Sequence, residues 1–349
     1  MKAQNHVLLR KTAFYMLILT CIIPVLYGVS YDRFRHFDVA DPKGASDAPD
    51  YVKMSYGNYS VSWSHKYRIV VPLLARGLRS LVAKYISDKN VLDKLPFYGV
   101  NFIFMSLCAL LLFEFLCHLK FERWLSAFGT VIFLTSRITV LATGTPLVES
   151  FYLLSVILIV LLAARNKIKY LAAIMPILIL SKEGIYPVAM LPLLTKKGRS
   201  PLYICSLALS FVLVYFVRHY VNTLPNPAHF APLSFFSSLL IGMNVILDNI
   251  KRLVTFEGIR DLQCSFSFFL LYAVFGYFVN RKYHLYNIPG FVLLLVPLSV
   301  FFAFINNALG RMLFYGFPAL IPFMLVFIKY AYTETQGYLA NHSRQVDKT

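Results

Sequence analysis

The fold is decided by an apolar run at residues 12–31, which reads TAFYMLILTCIIPVLYGVSY. Its 20 residues carry no charge, and about 20 apolar residues in a helix cross the roughly 30 Å hydrocarbon core of a bilayer. Arg10 and Lys11 precede the run, as they would in a signal peptide, but its 20 residues exceed the roughly 7–15-residue apolar region of such a peptide. We therefore predict a retained signal anchor as the first transmembrane helix.

Similar apolar runs follow along the chain, at 96–117, 124–143, 147–164, 201–217, 265–279, 288–305 and 312–330. A further run, 170–194, is interrupted at Ser181-Lys182-Glu183-Gly184. It is either one long helix with a buried ion pair or two short helices that turn at the interruption. Short basic clusters flank it on both sides, and such clusters stay cytoplasmic, so an even number of crossings must lie between them. We therefore predict two short helices here and about ten membrane segments in all.

The composition excludes a soluble protein. Hydrophobic residues make up 58% and charged residues 14% of the 349 positions, and the mean hydropathy is +0.64, whereas soluble domains have about 25% charged residues. The formal charge of +18 comes largely from short basic clusters between apolar runs, at 10–11, 120–123, 165–169, 196–199 and 281–282. This positive-inside pattern places basic loops against anionic membrane lipids and disfavours a nucleic-acid partner. We predict a single all-α domain (1–349), a polytopic transmembrane helical bundle with both termini cytoplasmic.

Two longer segments are predicted on the extracytoplasmic side. The first, 32–95, contains a polar stretch and then an amphipathic helix over 67–86, where apolar residues recur every three or four positions. The second, 220–262, includes the apolar stretch 231–247. We place that stretch in the membrane plane or as a re-entrant segment, because a crossing would put the last basic cluster outside. The C-terminal segment 331–349 is then a cytoplasmic tail.

Acidic residues concentrate in the first outer segment. Seven of the chain's 16 Asp and Glu residues lie there, and Asp47 and Asp50 stand three residues apart in Ser-Asp-Ala-Pro-Asp-Tyr, with His65 further along. Two such carboxylates at a membrane surface act as a general base or hold a divalent cation. The alternative is a solvated acidic loop with an Asp-Pro-type turn.

Further ionisable residues lie next to apolar runs. Arg311 stands between the last two runs, where an arginine either binds a phosphate or snorkels to a lipid head group. Lys182 and Glu183 either neutralise each other or bind an anionic substrate, with Glu183 orienting Lys182. Glu149 follows the break at Thr143-Gly144-Thr145-Pro146 and is predicted to cap the N-terminus of the next helix.

Taken together, these motifs resemble the membrane-embedded GT-C glycosyltransferases, especially bacterial members of the mannosyltransferase-like type. The order is an apolar first span, Asp-x-x-Asp-Tyr at 47–51, Tyr-Arg-Ile-Val-Val-Pro-Leu-Leu at 67–74, Thr-Pro at 145–146, Lys-Glu at 182–183, and Arg311 with Phe-Pro at 317–318. The resemblance covers most of the chain as an arrangement of short motifs.

The resemblance implies transfer of a sugar from a polyprenyl-phosphate-linked donor to a glycan, lipid or protein acceptor, on the extracytoplasmic face of a bacterial cytoplasmic (inner) membrane. It implies that Asp50 or Asp47 is the base or the ligand of a divalent cation (Mg²⁺ or Mn²⁺), and Asp50 is favoured because it directly precedes Tyr51. The implied phosphate-binding residues are Arg311, Lys182 and Arg68, with Glu183, Tyr51, His65 and Glu149 in support. Many members carry Asp-Glu directly after the first span, whereas this chain has Asp32-Arg33 and its acidic pair comes 15 residues later.

Three other classes compete with a glycosyltransferase. A polysaccharide polymerase or ligase of the O-antigen type would carry Arg and His in large late outer loops, whereas the acids here concentrate in the first loop. A transporter or flippase for lipid-linked substrates predicts an inverted repeat with matched broken helices, and the sequence shows one clear break. A non-enzymatic membrane scaffold would not require Asp50, Lys182 and Arg311 to share one face.

Overall fold

The protein is described by a computed structural model over residues 2–42, 45–62, 65–224, 235–267, 269–305 and 309–346. These residues form helices joined by turns, and no β-strand occurs among them. The predicted all-α class is therefore confirmed.

In chain order the helices are α1 (Lys2–His36), α2 (Ala48–Ser55), α3 (Val70–Val82), α4 (Lys89–His118), α5 (Arg123–Thr135), α6 (Arg137–Gly144), α7 (Glu149–Ala164), α8 (Ile168–Leu178), α9 (Ile185–Met190) with a 3-10 turn at Leu191–Leu194, α10 (Pro201–Thr223), α11 (Phe235–Leu253), α12 (Phe256–Phe266), α13 (Phe269–Tyr283), α14 (Gly290–Leu293), α15 (Leu295–Ile305), α16 (Leu309–Phe314) and α17 (Phe317–Val346). They divide into two compact units. The first unit comprises Met1–Glu114 and Leu134–Asn244, and the second comprises Phe115–Phe133 and Val245–Thr349.

Three helices are long and apolar enough to cross a membrane, over Thr12–His36, Lys89–His118 and Pro201–Thr223. A fourth is obtained if Arg123–Thr135 and Arg137–Gly144 are taken as one broken span. These three or four candidate spans are consistent with a membrane protein. Among the described residues they are fewer than the ten membrane segments predicted. Backbone breaks within the apolar runs explain the difference, because hydropathy does not show where a helix ends.

The breaks have local causes. Ser136 has an extended backbone and its side chain accepts the Thr139 N–H, so it begins α6 instead of continuing α5. The predicted run 312–330 is divided by a turn between α16 and α17, and 288–305 is divided between α14 and α15. The predicted in-plane segment 231–247 begins outside the described residues and is helical from Phe235 as part of α11.

Helix α7 lies at the centre of the first unit. Thirteen of its 16 residues are buried, and it contacts α6, α8 and α9. A helix that is apolar on all sides packs inside the protein. Its burial carries Glu149, the first residue of α7, into the interior at 1% exposure.

The segment between α1 and α4 is held by buried cations. Lys94 in α4 donates hydrogen bonds to the carbonyl oxygens of Arg35 (3.0 Å) and Phe37 (2.8 Å) at the end of α1, where a positive charge suits the negative end of the helix. In α3, the Arg79 guanidinium donates to Ser55 Oγ at 2.6 Å, at the end of α2. These bonds position α2 and α3 against α1 and α4.

The predicted amphipathic helix is present as α3, which is shorter than the predicted 67–86. Leu73, Leu74 and Leu81 are exposed, whereas Arg79 is buried among polar partners. The exposed leucines fit a helix that lies on a membrane surface with its apolar side outward.

In the second unit, α13 packs along α17. The two backbones meet at Gly276, where an added Cβ would overlap the Phe323 carbonyl oxygen. Next to this pair, Phe314 contacts the rings of Phe133, Phe266 and Phe317 at centroid distances of 5.6, 4.8 and 5.9 Å. These aromatic side chains are buried and form the core of the unit.

Candidate functional site

The structure brings Asp47, Asp50 and His65 together in an acid–histidine cluster. Asp47 directly precedes α2 and Asp50 lies in its first turn, where Pro49 starts the helix and a carboxylate suits the positive helix end. His65 is held by a turn in which its N–H binds the Ser62 carbonyl oxygen at 3.0 Å. Its ring places Nδ1 at 2.8 Å from Asp50 Oδ2 and Nε2 at 3.6 Å from Asp47 Oδ1.

This cluster is arranged for proton transfer. Asp50 Oδ2 also accepts the Ser62 N–H at 3.2 Å, which fixes the carboxylate. The side chains of His65 and Asp50 are 14% and 21% exposed, so they remain reachable. Either Asp50 takes a proton itself, or His65 does so with Asp50 orienting its ring. The resemblance gave His65 a supporting role, and the geometry makes it a second candidate base.

Tyr51 links the acid–histidine cluster to a buried arginine. Its ring is completely buried and lies 5.3 Å from the His65 ring, and its hydroxyl accepts a hydrogen bond from Arg68 Nη1 at 2.8 Å. Burial raises the pKa of Tyr51, although the adjacent Arg68 acts in the opposite direction. The hydroxyl therefore stays protonated at neutral pH.

Glu183 joins Arg68 to a second arginine, Arg218 of α10. Arg68 Nε lies 3.3 Å from Glu183 Oε2, and Arg218 Nη2 lies 3.7 Å from Glu183 Oε1. Glu183 stands in the predicted break between α8 and α9, which is confirmed. Because one carboxylate is shared by two guanidiniums, the group keeps a net positive charge of about one.

Lys182 and Glu149 form a more deeply buried pair. Lys182 Nζ lies 3.5 Å from Glu149 Oε1, with side chains 10% and 1% exposed. Glu149 Oε2 also accepts the Val148 N–H at 3.2 Å, so the predicted contact with the start of α7 is present. Lys182 therefore has a carboxylate partner other than the adjacent Glu183.

These cations line a small cleft of about 10 Å³, which is space for about one water molecule. Its charged lining residues are Arg68, Lys182, Glu183 and Arg218, and its other lining residues are Tyr67, Ile179, Leu180, Tyr186, Val214 and Val217. Arginine and lysine bind phosphate oxygens, and the aliphatic side chains suit a hydrocarbon chain. We call this site the cationic cleft, and its lining matches an amphiphile with an anionic head.

Arg218 and Asn222 stand one helical turn apart in α10, and the sequence motifs singled out neither. Asn222 Oδ1 accepts hydrogen bonds from Lys66 Nζ (2.5 Å) and the Tyr67 hydroxyl (3.0 Å). The Arg218 guanidinium lies 4.8 Å from the centre of the Tyr67 ring. Arg218 could have been identified from the sequence as an ionisable residue inside an apolar helix. Such a residue is energetically costly unless it has a function or a partner.

Arg311 lies in α16, in the second unit, and α16 packs against α12 and α15. Its participation in one site with Asp50 stays a prediction. Within the described residues, no three His, Cys, Asp or Glu side chains are arranged to hold a metal ion. Binding of a divalent cation by Asp47 and Asp50 stays a prediction.

No protein family, curated protein or solved structure matches this chain. Membership of the GT-C enzymes therefore stays a prediction from the motifs.

Proposed function

We propose that the protein is a multi-pass membrane glycosyltransferase of the GT-C type, which moves a sugar from a polyprenyl-phosphate donor to an acceptor. The observation that supports this most is a continuous set of contacts within one unit. It runs from the Asp50–His65 pair through Tyr51 and Arg68 to the cationic cleft. A candidate base and candidate phosphate ligands are the two groups that glycosyl transfer from a phosphate requires.

The donor phosphate would lie in the cationic cleft, against Arg68, Arg218 and Lys182. The hydrogen bonds of Arg68 to Glu183 and Tyr51 occupy two of its five N–H donors. Its other N–H groups can bind phosphate oxygens. The polyprenyl chain would run past Ile179, Leu180 and the neighbouring valines. Charge that develops on the departing phosphate is stabilised best by donors that are already in place.

The acceptor would be activated at the acid–histidine cluster. Its hydroxyl oxygen forms a bond to the anomeric carbon as the bond from that carbon to the phosphate oxygen breaks. The hydroxyl proton passes to Asp50, or to His65 oriented by Asp50. The polyprenyl phosphate leaves with the electron pair of the broken bond and the negative charge that the cleft holds.

The proposed orientation follows the charge pattern of the sequence. The short basic loops and both termini would be cytoplasmic in a bacterial inner membrane, and the acid–histidine cluster would be on the opposite face. A polyprenyl donor fits this position because its chain stays in lipid while its phosphate reaches the interface.

Incubation of purified protein with labelled polyprenyl-phosphate sugars tests the proposal, with loss of donor as the readout. We expect Asp50→Asn to slow donor consumption by about 100- to 10,000-fold, because general-base catalysis contributes that much. Asp38→Asn is the matched control, since Asp38 is exposed in the same segment and its contact is a hydrogen bond from the Ala40 N–H that asparagine can keep.

Consumption of every donor at the rate of protein-free micelles would refute the proposal. Equal rates in wild type and in both Asp50→Asn and Asp47→Asn would refute the assignment of the base.

A further inference from the structure

The second unit has a groove that shares no lining residue with the cationic cleft. Side chains from α13, α14, α15 and α17 enclose an apolar groove of about 400 Å³. Its lining includes Ala273, Tyr277, Phe278, Leu293, Val296 and Phe323. The volume falls in the range of about 300–1,000 Å³ that small-molecule sites occupy.

One end of the groove is polar. A second cavity of about 240 Å³ shares Tyr277, Leu293 and Phe323 with the groove, so the two spaces adjoin. This cavity is also lined by Arg281 and His284. The described residues that line the two spaces include these basic side chains and no carboxylate.

The polar end is held in a defined conformation. Asn280 Nδ2 donates to the Tyr286 carbonyl oxygen at 3.0 Å, and Asn280 Oδ1 accepts the Tyr286 N–H at 2.9 Å. The Tyr286 ring stacks on Phe121 at 4.0 Å. Arg281 and His284 both lie inside this closed turn, where His284 has a φ of 50°, so the turn sets their backbone positions while their side chains are exposed.

We propose that this groove binds an anionic phospholipid, with one acyl chain along the apolar lining and the phosphate at Arg281 and His284. The apolar lining excludes a polar ligand, and the guanidinium attracts a phosphate. Arg281 belongs to a short basic cluster of the kind that stays cytoplasmic, where anionic lipids are concentrated. This site is independent of the proposed glycosyl transfer.

Native mass spectrometry of the full chain in neutral detergent tests the site with phosphatidylglycerol and phosphatidylcholine as probes. We expect one phosphatidylglycerol molecule to be retained about fivefold more tightly than phosphatidylcholine. One basic side chain near an anionic head group gives a preference of about this size. Arg281→Gln should abolish this preference. Lys282→Gln removes the same charge one residue away, where the ammonium lies 5.0 Å from the centre of the Tyr283 ring, and it should keep the preference.

A second variant tests the acyl-chain part of the groove. Val296→Trp fills the apolar space and should lower retention of both lipids, while the exposed Arg281→Gln leaves the fold and chain binding intact. Equal retention of the two lipids by wild type, or equal effects of Arg281→Gln and Lys282→Gln, would overturn the proposal. Displacement of phosphatidylglycerol by an equimolar amount of polyprenyl phosphate would also overturn it, because the groove would then belong to that lipid.

Discussion

Replacement of Arg79 by methionine tests how α2, which carries Asp50, is held in place. The Arg79 side chain is 7% exposed and lies 3.6 Å from Asp93 Oδ1 in α4. Its Nη1 donates to Ser55 Oγ at 2.6 Å, and its guanidinium lies 3.8 Å from the centre of the Tyr56 ring. One side chain in α3 therefore joins the end of α2 to the start of α4.

The expected loss follows from the burial of this pair. Asp93 is 9% exposed, and removal of one partner of a buried ion pair costs about 3–5 kcal/mol. Asp93 keeps its 2.6 Å hydrogen bond from the Tyr56 hydroxyl, and methionine keeps the apolar contacts of the arginine stem. We therefore expect a loss near the lower limit, about 3 kcal/mol of the free energy of unfolding.

The measurement is a denaturant titration of purified protein in mixed micelles, followed by circular dichroism, with hydrogen exchange of α2 read separately. Arg76→Met is the control, since Arg76 is exposed one turn earlier in α3 and should change stability by less than about 0.5 kcal/mol. Faster exchange in α2 is expected only for Arg79→Met. Adding Asp93→Leu should recover part of the loss, because no buried carboxylate is then unpaired. An Arg79→Met variant as stable as Arg76→Met would refute this reasoning.

Three other changes have defined outcomes in the same titration. Gly276→Ala should destabilise by about 1–3 kcal/mol, because its Cβ would overlap the Phe323 carbonyl oxygen, whereas Gly290→Ala meets nothing within 4 Å and should be near neutral. Lys94→Met should cost about 1–3 kcal/mol, because it leaves two carbonyl oxygens at the end of α1 without their donor; an unchanged midpoint would contradict this. Burial raises the pKa of Tyr51, so above about pH 10 the unfolded chain loses a proton that the folded chain keeps, and the free energy of unfolding falls as pH rises. Tyr51→Phe should make the free energy of unfolding less dependent on pH in that range. A decline as steep in the variant as in wild type would contradict the burial of Tyr51.

Features encoded locally could be predicted from the sequence. The helix break at 181–184, the amphipathic α3 and the pairing of Asp47 with Asp50 all depend on residues close together in the chain. Proline, glycine and charge positions mark such breaks, and helical periodicity marks the face of α3. These expectations needed no knowledge of which helices are neighbours.

Features that depend on distant residues could not be predicted. Lys182 pairs with Glu149, which is 33 residues away in the sequence. Arg218 reaches Glu183 only because α10 packs against α8. The number of long membrane helices was overestimated because hydropathy does not show where a helix ends: the run 147–164 forms α7, which begins at Glu149 and has 16 residues.

The most direct test of the central claim is steady-state kinetics of donor consumption by wild type, Asp50→Asn and Arg218→Gln. If one site combines a base with a phosphate-binding cleft, Asp50→Asn should lower kcat and leave KM for the donor nearly unchanged. Arg218→Gln should raise that KM at least about tenfold, because it removes a charge-assisted contact to phosphate. Unchanged kcat and KM in both variants would contradict the claim.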